Sequence, residues 1–123
     1  MQVTFWKGHT MEMESIDSAD GVTHLRLTGR LDTAGADRIG TRLSAAVVAR
    51  GQPALLDLSG VTFIASMGIR LLISCAKGLK LKGATMVIYG ARAEVQQVFD
   101  EAALDQILAI AGTHAEAVER LSG

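Results

Sequence analysis

Residues 54–69 read Ala-Leu-Leu-Asp-Leu-Ser-Gly-Val-Thr-Phe-Ile-Ala-Ser-Met-Gly-Ile, and their pattern decides the fold class. Residues 54–58 form a short apolar run bounded by Gly51 and Pro53 on one side and Ser59-Gly60 on the other. Such a run between two helical patterns is the mark of a central strand buried on both faces. Ser59-Gly60 reads as a turn, and residues 61–64 extend away from it. Ser66 then opens a helical pattern to about Lys80, with Ile69, Leu72, Cys75, Ala76 and Leu79 on one face. Leu71 and Ile73 widen that face. Ser66 is expected to cap this helix, because a serine oxygen can accept from a free amide of the first turn.

Working towards the N-terminus, residues 33–50 carry a second helical stripe of Ala36, Ile39, Leu43, Ala46 and Val47. Asp32 or Thr33 can cap it, and Gly51 with Pro53 ends it. Residues 22–28 alternate as a half-buried strand that Gly29 ends. Residues 11–16 alternate weakly, and the polar Asp-Ser-Ala-Asp-Gly of 17–21 makes a hairpin of the two. Working towards the C-terminus, Lys82-Gly83 stops the helix. Residues 84–89 form another buried strand ended by Gly90. Residues 92–103 are helical through Val95, Val98, Phe99 and Ala102. Residues 104–110 have room for a helix end and a short last strand, and 114–121 form a terminal helix. A hairpin followed by alternating strands and helices gives an α/β domain. Its sheet is mixed, mainly parallel and of four to five strands, with helices mainly on one side.

The chain has 123 residues, enough for one domain that folds without disulfide or metal. Apolar residues make up 49% and aromatics only 4%, so Leu, Ile, Val, Ala and Met must build the core. The net charge of −1 gives no general case for nucleic-acid binding. One cysteine excludes an internal disulfide and fits a reducing, cytoplasmic setting. Residues 1–10 lack the apolar core of a signal peptide and read as an N-terminal extension to a domain over 11–123. No apolar run approaches the roughly 20 residues of a membrane span, so direct membrane insertion is not expected.

Known catalytic and cofactor patterns are missing. Gly29, Gly35 and Gly40 are spaced wrongly for a phosphate loop, and no Gly-x-Ser-x-Gly elbow occurs. His9, His24 and His114 are scattered, without metal-ligand spacing, and each is expected to be a surface or edge residue. Cys75 lies on an apolar helix face and reads as a buried structural thiol. No catalytic residue, metal or cofactor is expected. Arg70, Lys77, Lys80 and Lys82 decorate one helix; Glu94, Asp100, Glu101 and Asp105 decorate the next. Either set is a solvated face or a partner surface. A helix start at Ser66 carries a further implication. A phosphate placed there meets free N–H groups and the positive end of the helix dipole, so the fold would tolerate it.

Three stretches together resemble the STAS-domain family of anti-sigma-factor antagonists. They are Gly29-Arg30-Leu31-Asp32, then Leu56-Asp57-Leu58-Ser59-Gly60-Val61-Thr62-Phe63-Ile64, then Ser66-Met67-Gly68-Ile69. The resemblance spans roughly residues 11–121. It implies a STAS-like fold and a regulatory module that is not an enzyme. Such a module binds an anti-sigma factor that is also a serine kinase, and it lets go once phosphorylated. A serine phosphatase resets it. By this resemblance Ser66 is the phosphoacceptor, Asp32 is the acidic residue near it, and the partner surface comprises Asp32, Ala65, Ser66, Met67, Gly68 and Arg70. The family commonly has Asp where this chain has Ala65, and often Ser or Thr where it has Met67. Two alternatives stay open: a STAS subunit of a transporter, lipid-transport or sensory complex that is never phosphorylated, and a small-molecule or nucleotide-binding module.

Overall fold

The computed structural model describes residues 11–16 and 21–122. The expected N-terminal extension at 1–10, with His9, and most of the hairpin turn lie outside them. The order is β1 (Glu12–Ser15), β2 (Thr23–Leu31), α1 (Thr33–Ser44), β3 (Ala54–Ile64), α2 (Ser66–Leu81), β4 (Met86–Tyr89), α3 (Ala93–Glu101), β5 (Ala109–Ala111) and α4 (His114–Ser122). Helix α1 runs on into a wider π-type turn over Ala45–Ala49. Residues 104–110, ambiguous by pattern, resolve into a 3-10 turn at Leu104–Gln106 and the start of β5.

The strands lie side by side in chain order, β1-β2-β3-β4-β5. β1 pairs antiparallel with β2, and every later pairing is parallel. The alternation of β2 and β3 sends Leu25, Leu27, Leu56 and Leu58 into the larger core, which α1, α2 and α3 close with Ile39, Leu43, Leu72, Leu79, Val95 and Phe99. Leu55, Val87, Tyr89 and Ala111 point to the other face, where α4 covers them through Ala117. Three helices therefore share one side and the terminal helix takes the other, as the helix placement read from the sequence requires.

Two expected breaks are not breaks. Gly29 does not end β2, and Ser59-Gly60 is not a turn. β3 continues to Ile64 by absorbing one extra residue at each of two bulges against β2. At the first, Asp57 Oδ1 accepts the Ser59 amide at 2.8 Å. Gly60 there lies flat on β2: a Cβ would stand 2.7 Å from Thr28 Oγ1 and 2.9 Å from the Leu27 carbonyl oxygen. At the second, Gly29 takes φ of 114°, open to glycine and strained for other residues. Glycine-containing dipeptides signal turns and bulges alike, and the tertiary pairing decides between them.

The sheet face beside α4 carries a polar set. Arg26 Nε donates to Asp57 Oδ2 at 3.0 Å across the β2–β3 pairing. His24 Nε2 and the Tyr89 hydroxyl share a hydrogen bond of 2.6 Å, and the His24 ring stacks on His114 with centroids 5.2 Å apart. His24 is thus buried rather than at a surface or edge, because α4 begins over it. Burial pushes the Tyr89 phenol up to about 12. Burial also opposes ionisation of Asp57, but the hydrogen bonds from Ser59 and Arg26 together outweigh it and hold the carboxyl below its ordinary 3.8.

Two outcomes follow. The depressed Asp57 pKa makes the unfolded chain take up the proton first. Its contribution is therefore present above the ordinary carboxylate value and is lost as pH falls through the lowered native value. Urea unfolding across the acid range should show Asp57→Asn with a weaker fall in stability below about pH 4 than the parent. Leu72→Ala empties a fully buried site on α2 and should lower the unfolding free energy by about 2–5 kcal/mol with an unchanged denaturant slope.

Candidate functional site at the start of α2

The parallel pairing of β2 and β3 ends with Leu31 opposite Ile64. One residue on, the Ala65 amide still donates to the Leu31 carbonyl at 3.0 Å. Asp32 and Ala65 therefore leave neighbouring strands side by side, and each is the residue from which a helix starts. Asp32 Oδ1 accepts the Gly35 amide at 2.8 Å, so Asp32, and not Thr33, caps α1. Its other oxygen meets Arg30 Nε at 3.4 Å. The Gly35 amide foremost, then Arg30, lowers its pKa against the opposing effect of burial.

Ser66 does not cap α2. The capping residue is Ala65, with extended backbone at φ −120° and ψ 174° and no side-chain oxygen to offer. Its carbonyl accepts the first helical bond, from the Ile69 amide at 3.0 Å. Ser66 is the first helical residue. It is exposed, and its hydroxyl has no partner among the described residues. Continuing the ladder to Ala65 shifts the cap one residue towards the N-terminus. The first-turn amides are thus left without a side-chain acceptor.

Met67 is 38% exposed, and Arg70 Nη1 lies 3.9 Å from its sulfur. Gly68 faces the other way. It is buried, and a Cβ there would run into the Leu31 carbonyl oxygen and stand 2.7 Å from Leu31 Cγ. Of the residues named from the sequence, Ser66, Met67 and Arg70 share the exposed side of the first turns. Asp32 and Ala65 lie half-buried at the strand ends, and Gly68 lets α2 sit down on β2 from beneath. One surface side chain at this end escaped the sequence reading. Phe63 is 40% exposed, with the Arg30 guanidinium 4.2 Å above its ring centre. The second bulge turns it out of the core, and the only sequence cue was Thr62-Phe63 following a strand-internal glycine.

Cys75 sits two and a half turns further on, facing the core, with burial pushing its thiol up to about 11. An inert thiol follows, since the reactive form is the thiolate. Among the described residues no group of three or more His, Cys, Asp or Glu side chains could hold a metal ion.

The family model for the STAS domain matches residues 13–117. This chain belongs to the STAS-domain family. Solved structures agree on the fold. An anti-sigma factor antagonist from Mycobacterium paratuberculosis is 23% identical with a TM-score of 0.77, over 91% of this chain and 96% of its own. The Bacillus cell-fate determinant SpoIIAA in its phosphorylated form is 20% identical with a TM-score of 0.62, over 89% and 97%. The murine anion transporter Slc26a9 is 15% identical with a TM-score of 0.78; the match takes in 97% of this chain and 23% of the transporter. No curated protein sequence matches significantly. The fold is thus shared with nearly the whole of an anti-sigma factor antagonist and with part of an anion transporter. No helix among the described residues here is long and apolar enough to cross a membrane.

Ala65→Asp should supply the missing cap and raise the unfolding free energy by about 0.5–2 kcal/mol. Gly68→Ala should lower it by about 1–3 kcal/mol through overpacking against Leu31. Both are read from urea unfolding midpoints.

Proposed function

We propose that this STAS domain is an anti-sigma-factor antagonist that binds an anti-sigma factor/serine kinase and is switched off by phosphorylation of Ser66. The observation that carries the reading is an exposed, unpartnered Ser66 hydroxyl at the first turn of α2, beside amides without a side-chain cap. A phosphate on that oxygen would lie at the positive end of the helix dipole, where the free amides favour it. It would add about −1.5 to −2 charges to the surface without disturbing the core. The partner surface in this reading comprises Ser66, Met67 and Arg70, flanked by Asp32 and Ala65, with Gly68 supporting the turn from below. The domain is the substrate of the chemistry. The kinase brings the base and the Mg²⁺, so phosphoryl transfer does not require a carboxylate at position 65. A serine phosphatase restores the binding form, and the setting is the cytoplasm, where Cys75 stays reduced.

A second reading has support in Ala65. Without the family's common aspartate, the same face would dock permanently on a transporter or sensory assembly and Ser66 would stay unmodified. The likeness to part of an anion transporter supports that use.

The purified protein, incubated with each anti-sigma kinase of its source organism and Mg-ATP, should gain the mass of one phosphoryl group with one of them. Ser66→Ala should not gain it and should still bind. Ser66→Asp should bind that kinase at least about tenfold more weakly. Phosphate at another residue, or tight binding by Ser66→Asp, would overturn the switch. No phosphorylation by any of them would favour the permanent module.

A further inference from the structure

Between Asp57 and Glu94 the chain contains no acidic residue, yet it carries Arg70, Lys77, Lys80, Lys82 and Arg92. Arg70, Lys77 and Lys80 are exposed on α2, and among the described residues none of the three has an ion-pair partner. Other helices carry acids instead, as Glu94, Asp100 and Glu101 on α3 and Glu116 and Glu119 on α4. A net charge of −1 thus hides a segment, residues 58–93, that carries five cations and no acid.

The spacing on α2 is regular. Ser66, Arg70, Ile73, Lys77 and Lys80 recur at intervals of four, three, four and three, a heptad seam on the solvent side of the helix. It runs roughly 21 Å along the axis. Arg70, Ile73, Ser74 and Lys77 line a shallow cleft in this face. Beside the seam lie Met67, Ser74 and Leu81, seven residues apart, and Leu81 is 90% exposed. A buried helix face has apolar residues on such a seam. This one has cations around a half-buried Ile73, with Met67 and Leu81 at the two ends of the flank.

From this pattern we infer that the solvent face of α2 is a docking strip for an acidic amphipathic helix of the partner protein. Carboxylates of that helix pair with Arg70, Lys77 and Lys80, and its apolar residues cover Ile73, Met67 and Leu81. A single narrow row of cations matches one helix rather than the broad charge of an anionic membrane. The inference rests on the proposed partner binding and adds a reason for release. Ser66 ends the seam, so its phosphate would face the same carboxylates that the cations attract.

A synthetic helical peptide with Leu along one stripe and Glu beside it serves as probe, with a Lys-for-Glu counterpart and phosphatidylglycerol vesicles as comparisons. Fluorescence anisotropy should show the Glu peptide binding at low salt and weakening as salt rises. The double variant Lys77→Glu/Lys80→Glu, checked for an unchanged thermal midpoint, should lose at least about tenfold in affinity. Glu94→Lys/Glu119→Lys should not. Ser66→Asp should weaken the peptide too. Equal loss in both double variants, equal binding of the Lys peptide, or binding of vesicles without the Glu peptide would overturn the inference. The kinase separates the two proposals. Phosphorylation of Ser66 by a kinase that binds Lys77→Glu/Lys80→Glu as tightly as the parent removes the docking strip alone. Peptide binding without any phosphorylation removes the switch alone.

Discussion

The close approach of β2 and β3 at their C-terminal ends is the constraint on which the rest of this domain depends. Their parallel pairing reaches Leu31 and Ile64 only because β3 absorbs two extra residues along the way. The Ala65 amide then donates to Leu31, and Gly68 lies against that residue without a side chain. Those contacts fix where α2 begins and which side of its first turn faces water. Asp32 applies the same logic to α1, one strand over. Two helix starts are thereby held together by backbone bonds, and neither relies on a long flexible loop.

Much of this was legible in the sequence, for identifiable reasons. The central strand, the three main helices and the one-sided placement of helices follow from apolar runs and 3.6-residue stripes, which report burial directly. Asp32 was readable as a cap because its side chain satisfies an orphan amide locally. The bulges were not readable. Gly29 and Ser59-Gly60 carry turn chemistry, and only the partner strand decides that the chain continues. The same limit hid Phe63, whose outward turn depends on the second bulge, and His24, whose burial depends on where α4 returns.

Ser66 shows the difference between residue type and residue position. A serine at a strand-to-helix junction suggests a cap, yet the backbone gives that place to Ala65. A capping hydroxyl would be engaged with a first-turn amide. One position later it lies exposed, with no partner among the described residues. The residue before it is the feature that decides how exposed the first-turn amides are, and alanine leaves them open.

The inner side of α2 has a use of its own. Cys75 is the chain's one thiol, and it is sealed against the sheet on the side of the helix away from Arg70 and Lys77. Its reaction with a thiol reagent is therefore a clock for the lifting of α2 from the core. A partner seated on the outer side would leave the reagent's path unchanged and could slow that clock only by steadying the helix. The rate of modification would then separate an occupied surface from a tightened fold, two effects that a melting temperature merges.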